Sequence, residues 1–331
     1  MTGPARTAPA GASDIANTSQ RPARVPRRAP ADLPFRFADP ELAEALGADR
    51  SEPAWLRDDR LAAWQAFDGR PLEANQLYTP YVDLRAADLF DARPYVTDAP
   101  AGVQTAPIGD VPAGVVVETF DAWLARSPEA ARAALASGAT LPDDDKLAWL
   151  ARGFWSAGLH VEIADGVVLH EPLSLRWPAA APGRAFLTRT LISLGDGASA
   201  EIVEELTAAG PDIGCAAGEP VPQGLFHGTS EVILGRGASL RLASIQDLPE
   251  NQIAFQQRHA TIGEAASLRW ALAQLGSKLV RSRVDNRLEG DRSSVEQVEI
   301  VLGATDQLFD LTSYTRHLGR DTTGNLLSKG V

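Results

Sequence analysis

A short unit recurs through the second half of the chain, and it constrains the fold more than anything else in the sequence. Leu194-Gly-Asp-Gly-Ala-Ser-Ala-Glu-Ile-Val203 and Leu234-Gly-Arg-Gly-Ala-Ser-Leu-Arg-Leu-Ala243 are near copies, and Ile262-Gly-Glu-Ala-Ala-Ser-Leu-Arg-Trp-Ala271 is a third. Leu288-Glu-Gly-Asp-Arg-Ser-Ser-Val is a degenerate fourth copy, and weaker ones begin at Leu302 and Leu318. The starts lie roughly 40, 28, 26, 14 and 16 residues apart, a recurrence that marks a repeat architecture. The long first step contains residues 208–223, a Gly- and Pro-rich stretch that reads as an inserted loop.

Steps near 28 and near 14 fit a coil of strand, turn and strand with a turn every half-coil. Each coil stacks on the one before, and glycine lets the chain take the corner at positive φ. Residues alternate between faces along a strand. Ala200, Ile202 and Leu206 are expected inside, with Glu201, Glu204 and Glu205 outside. Coils of this kind bury one another's faces, so stability accumulates between neighbours. The expectation is a β-helix. A β-sandwich of hairpins is the competitor, because glycine turns at this spacing also suit hairpins.

The first half reads differently. Residues 1–35 are rich in Ala, Pro, Thr and Arg without a hydrophobic period, and are expected to form a disordered tail. Residues 36–157 are expected to be a mostly helical domain. Leu61, Trp64 and Phe67 share one helical face in the segment from Pro53, which Asp68-Gly-Arg-Pro71 ends. Tyr78-Thr-Pro80 is extended or a turn, and Gly114-Val-Val-Val-Glu-Thr119 reads as a strand. Short helices follow over 121–125 and 127–135, the second with Ser127 as N-cap and Pro128 in the first turn. A longer one covers 144–156. The character changes at Gly158, and residues 158–331 are expected to be the β-helix core, entered through strands at 159–163, 167–170 and 173–177.

The totals narrow the function. A formal net charge of −12 over 331 residues argues against a nucleic-acid binder, which needs a basic face to neutralise phosphates. No run of 18 apolar residues marks a membrane span, and no apolar leader core marks secretion. One cysteine excludes an intrachain disulfide framework and a self-sufficient cysteine-ligated metal site, and fits a reducing cytoplasm.

No catalytic or metal-ligating residue can be assigned from spacing. The histidines are His160, His170, His227, His259 and His317, with no HxH or HExxH pair. Cys215 lies in the Gly/Pro-rich loop without a neighbouring cation to lower its pKa. Glu201, Glu204 and Glu205 could be read as the paired acids of glycoside chemistry, but a charged outer face explains them more simply. Gly195-Asp-Gly197 and Gly235-Arg-Gly237 lack the GK[ST] and strand-to-helix context of a phosphate loop. Arg316, His317 and Lys329 form a polar set near the end of the chain, read as the exposed end of a coil.

The pattern as a whole resembles the SufB/SufD family of iron–sulfur assembly scaffolds. The resemblance runs from Trp64…Phe67…Pro71 and Tyr78-Thr-Pro80, through Phe154-Trp-Ser-Ala-Gly-Leu-His-Val-Glu-Ile-Ala-Asp-Gly-Val-Val-Leu-His-Glu-Pro-Leu-Ser-Leu175. It continues in the repeats at Leu194 and Leu234, in Ser244-Ile-Gln-Asp247, and in Thr315-Arg-His…Thr322…Ser328-Lys-Gly-Val331, covering roughly residues 50–331. Where SufB carries a Glu-Gly-Cys segment this chain has Val203-Glu-Glu-Leu-Thr207, and Cys215 does not match it. The resemblance is therefore closer to SufD.

It implies an N-terminal helical domain, a right-handed parallel β-helix and a C-terminal helical domain that docks the ATPase SufC. It also implies a non-enzymatic scaffold subunit, pairing with a SufB-like protein through the β-helix in a cytoplasmic SufBCD complex, with an iron–sulfur cluster carried transiently by that complex. Family chains continue past Lys329-Gly-Val331 into further coils and the SufC-docking helices, so this chain is expected to be a fragment that cannot itself dock SufC. Two other readings stay open: a carbohydrate-active β-helix using Glu201 and Glu204, and a structural solenoid that binds a protein, or a second copy of itself, by its edge.

Overall fold

A computed structural model describes residues 33–72, 84, 86–99, 104–107, 112–137, 144–208, 221–304 and 306–331. Most of the expected tail, Tyr78-Thr-Pro80 and most of the inserted loop, Cys215 included, lie outside the described residues. The helices are α1 (Pro40–Asp49), α2 (Ala54–Asp68), α3 (Phe120–Arg126), α4 (Pro128–Ser137) and α5 (Lys146–Phe154). The strands of the first half are β1 (Arg93–Pro94), β2 (Gln104–Pro107) and β3 (Val115–Thr119). Those that follow are β4 (Ala157–Ile163), β5 (Leu173–Pro178), β6 (Arg184–Leu194), β7 (Ser199–Thr207), β8 (Gly224–Leu234) and β9 (Ser239–Asp247). The remainder are β10 (Gln252–Ile262), β11 (Ser267–Gln274), β12 (Leu279–Leu288), β13 (Ser294–Val301), β14 (Leu308–His317) and β15 (Thr323–Gly330).

Even-numbered strands from β4 to β14 stack in parallel in an eight-stranded sheet, odd-numbered strands from β5 to β15 in a seven-stranded one. From β4 onwards each strand pairs with the strand two further along and not with its immediate successor, which is the pairing of a solenoid and not of a hairpin sandwich. The result is a parallel β-solenoid of about six turns behind N-terminal helices. The first half also supplies β2 and β3, which pair antiparallel with β5 and β4 and close the start of the stack. Residues 167–170 are not a strand; a single bridge joins Val168 to Ser199.

The repeat maps onto one corner of the coil. Ile163, Leu194, Leu234, Ile262, Leu288 and His317 stand in one column of the eight-stranded sheet. The turn that follows uses its two special positions differently. The first glycine is a matter of space: a Cβ on Gly195 would lie 2.7 Å from the Asp165 nitrogen, and one on Gly290 would overlap the Glu264 backbone. The second is a matter of conformation. Gly197 and Gly237 both have φ of 68°, and the same left-handed turn is made without glycine by Ala265 (φ 54°), Arg292 (φ 59°) and Asp321 (φ 54°). The copy at Leu302 is not on this corner. It makes the opposite turn, between β13 and β14, where the Leu302 nitrogen bonds the Gln274 carbonyl.

Three apolar clusters hold the molecule together. The solenoid interior is filled by residues such as Phe186, Phe226, Trp177 and Trp270. Helices α1, α2 and α5 pack Leu46, Phe67, Leu150 and Phe154 over the outer face of the eight-stranded sheet, against Leu187, Leu225 and Phe255. A third cluster joins Phe120, Trp123 and Leu135 of α3 and α4 to Trp155 and Leu191. The eight-stranded sheet is thus covered on both faces, and β6, β8, β10 and β12 are buried along almost their whole length. Among the described residues the seven-stranded sheet is covered on one face only, and β7 alternates between buried and partly exposed positions.

Candidate functional site

Two buried polar tracks run through this scaffold, one inside the solenoid and one beneath the helices. The inner track begins with a correction. Glu204 has the same parity on β7 as Ala200, Ile202 and Leu206, and it points inward, 6% exposed. A charge can sit there because Arg258 of β10 crosses the lumen to it. Its guanidinium donates to Glu204 Oε2 at 3.0 Å and to Ser244 Oγ at 2.8 Å, and Ser244 Oγ donates to the same carboxylate oxygen at 2.7 Å. Burial raises the carboxyl pKa of Glu299, on β13, against the opposing pull of Arg258. The track continues through neutral groups. Gln256 Nε2 donates to Gln274 Oε1 (2.9 Å), Trp270 Nε1 to Asn286 Oδ1 (2.9 Å) and Gln297 Nε2 to Ser313 Oγ (2.7 Å).

The outer track lies where the helical layer meets the eight-stranded sheet. His227 and His259 project from the neighbouring strands β8 and β10 towards the helices, both fully buried. His227 has no hydrogen-bond partner at either ring nitrogen among the described residues. Burial lowers its pKa to about 3, so the ring is neutral. His259 stands between two carboxylates, 3.7 Å from Asp145 and 3.6 Å from Asp285. Asp145 caps α5, accepting from the Leu147 and Ala148 nitrogens at 3.0 and 3.2 Å. Its burial raises its pKa, against the pull of Arg283 and His259. Burial pushes Asp285 the same way, but the neighbouring His259 and the hydrogen bonds from Arg283 outweigh that and hold it at about 2. Arg283 Nε donates to Asp285 at 2.6 Å and reaches Asp144 at 2.9 Å through a terminal nitrogen. A second buried pair, Arg189 with Glu231 at 2.5 Å, lies on the same face.

The other residues singled out in the sequence are dispersed. His160 stacks on Trp123, ring centroids 3.6 Å apart, with Glu118 at 3.3 Å; burial lowers its pKa. His170 is exposed in the turn before β5. His317 and Arg316 are exposed on β14, with His317 Nδ1 2.7 Å from Thr322 Oγ1, and Lys329 is exposed on β15. Glu201 pairs with Arg241 and Glu205 with Arg176 on the open face. Glu201 and Glu204 therefore face opposite sides of one sheet and cannot flank a common glycosidic bond. Among the described residues, no group of three or more His, Cys, Asp or Glu is arranged to hold a metal ion.

Gln256, Gln257 and Arg258 have no place in the spacing argument, which weighs His259 alone among these four residues. All four are at most 2% exposed. The usable signal was their position in a central parallel strand, which is buried on both faces.

Residues 178–331 match the family model described as the SUF system FeS cluster assembly, SufBD core domain. Residues 178–331 thus carry a core of the SufB/SufD type. It is 26% identical over 190 residues to the iron–sulfur cluster assembly protein SufB of Bacillus subtilis (strain 168), covering 57% of this chain and 39% of that protein. It is 25% identical over 218 residues to an iron–sulfur cluster assembly SufBD family protein of Staphylococcus epidermidis, covering 66% of this chain and 45% of that one. The chain thus spans less than half the length of these curated relatives. The matched core begins at the end of β5 and takes in both polar tracks except for Asp144 and Asp145. No helix among the described residues is long and apolar enough to cross a membrane.

Proposed function

We propose that this chain is a non-catalytic, SufD-type scaffold subunit of a cytoplasmic complex that assembles iron–sulfur clusters. The observation that carries the reading is the SufBD core match over residues 178–331, laid on a parallel solenoid whose coils stack in register. In this reading the solenoid pairs with a SufB-like subunit, a SufC-like ATPase drives the complex, and the cluster is cargo of the complex. The SufD assignment rests on β7: Val203-Glu-Glu-Leu-Thr207 carries no cysteine, and its inward acid is committed to Arg258.

Co-expression of the tagged chain with the SufB and SufC homologues of its own organism tests this. A stable co-purifying complex is expected. Failure to retain the SufB homologue, with that partner shown to be folded, would overturn the reading.

A further inference from the structure

Beneath the helices, the outer face of the eight-stranded sheet carries two kinds of surface, sorted by the parallel register. One column, Ala185, Leu225, Ile253 and Leu279, is apolar. Further along the same strands come Arg189, Thr229, Gln257 and Arg283, then Leu191, Glu231, His259 and Asp285. All of these residues are at most 5% exposed. Parallel strands kept permanently between two covers read as apolar runs, and these two columns do not. Thr229 Oγ1, both amide atoms of Gln257 and Arg189 Nη1 have no hydrogen-bond partner among the described residues, and neither has either ring nitrogen of His227, on the same face of β8. A covered polar atom without a partner is costly, and water supplies the partner once the cover lifts. The apolar column has the opposite preference.

Helix α5 touches β6, β8 and β10, and its two ends are held differently. Its C-terminal end is tied down. Trp155 packs with Leu191, the Ser156 nitrogen donates to the Leu187 carbonyl at 2.9 Å, and β4 follows at once and pairs with β6. At its N-terminal end the polar contacts to β10 and β12 are ionic: Asp145 with His259 at 3.7 Å, and Asp144, 63% exposed, with Arg283 at 2.9 Å. Contacts of that kind at a wet rim give little net hold, because water competes for both partners. Lys146 donates to the Phe67 and Arg70 carbonyls, at 2.6 Å each, and so joins this end of α5 to α2.

We propose that the N-terminal half of α5, with α2, is a lid that lifts from the two polar columns while the solenoid stays folded. The apolar column and the C-terminal end of α5 act as the hinge. The closed form predominates, and the open form is reached by an excursion much smaller than global unfolding. The proposal stands whether or not the chain joins an assembly complex.

Thiol labelling of the full chain is the test, with Cys215→Ser as background because Cys215 is the single cysteine. Thr229→Cys places a thiol under the lid at little cost, and Gln257→Cys on the next strand is the second reporter should the first not fold. Ala254→Cys, on the solenoid-facing side of β10 and fully buried, reports opening of the solenoid itself. With an aromatic disulfide reagent in native buffer, the thiol under the lid is expected to react about a hundredfold faster than the thiol in the solenoid. Its rate should also rise much less steeply with urea than global unfolding does, which keeps the test decisive if Ala254→Cys does not fold. Gln257→Met, combined with Thr229→Cys, should slow labelling about tenfold, because the lid then shelters an apolar side chain in place of an unpartnered amide. Labelling under the lid that proceeds only at the rate and with the urea dependence of global unfolding overturns the proposal, as does a rate that Gln257→Met leaves unchanged.

Discussion

His227 should make this protein acid-sensitive in a way that a single substitution removes. The ring is fully buried beside Phe255, 5.8 Å between centroids, and neither nitrogen has a partner among the described residues. Its pKa is about 3 in the fold, against the ordinary 6.5. The unfolded chain therefore binds a proton that the folded chain refuses. Stability is complete above pH 6.5 and declines as pH falls towards 3, with a limiting slope of about 1.4 kcal/mol per pH unit. Between pH 6 and pH 4 this one group removes about 2–3 kcal/mol, and over the whole window about 5 kcal/mol. His227→Leu replaces two unsatisfied polar atoms by an apolar side chain of similar size, a change expected to be neutral or stabilising at pH 7. Urea unfolding of both proteins at pH 6 and pH 4 isolates the effect, because every other titrating group is common to the pair. The wild type should lose about 2–3 kcal/mol more than the variant. Equal losses would show that His227 is protonated or solvated in the fold, and the buried environment assigned to it would be wrong.

Other consequences follow from the same packing. Arg258→Met leaves Glu204 buried without its cation and should destabilise the protein by about 3–5 kcal/mol in urea unfolding, a loss that Arg258→Met/Glu204→Gln should partly restore. Gly290→Ala forces a Cβ into the Glu264 backbone and should prevent stacking of the later coils, read as loss of soluble folded protein. At the other special position of the same corner, Ala265→Gly relieves a left-handed alanine and should raise stability by about 1 kcal/mol. An effect of Ala265→Gly as damaging as that of Gly290→Ala would refute the division of labour between the two corner positions.

The architecture was legible because it is written again in each copy of the repeat. Leu-Gly-x-Gly-Ala-Ser gave the corner, its recurrence gave the coil, and the parallel register confirmed the stacking. What period alone could not decide was the corner to which a weak copy belongs. Leu302 and Leu318 look alike in sequence, yet they stand at opposite ends of the coil because coils turn twice. Helix α1 escaped notice although Asp39 caps it with Pro40 in its first turn, since its apolar positions are too few to show a period.

The polar tracks were harder to see, and for a physical reason. Glu204 has inward parity, but its charge argued for solvent, and the cation that resolves the conflict lies 54 residues away on another strand. Gln256-Gln-Arg-His259 reads as an exposed run until both faces of the strand are known to be covered. Asp145 looks like an ordinary helix cap. Only the fold brings it to His259 and Arg283. A buried charge is invisible in sequence when its partner is supplied by tertiary structure.

We propose that this solenoid is a working part of a cluster-assembly complex. Anaerobic reconstitution with iron, a sulfide source and the SufB and SufC homologues of the same organism, followed by visible absorption and iron content, tests it most directly. The account predicts that clusters form on the complex containing this chain and that omitting the chain abolishes or sharply reduces them. Equal cluster yield with and without the chain, under conditions where it is folded, would contradict it.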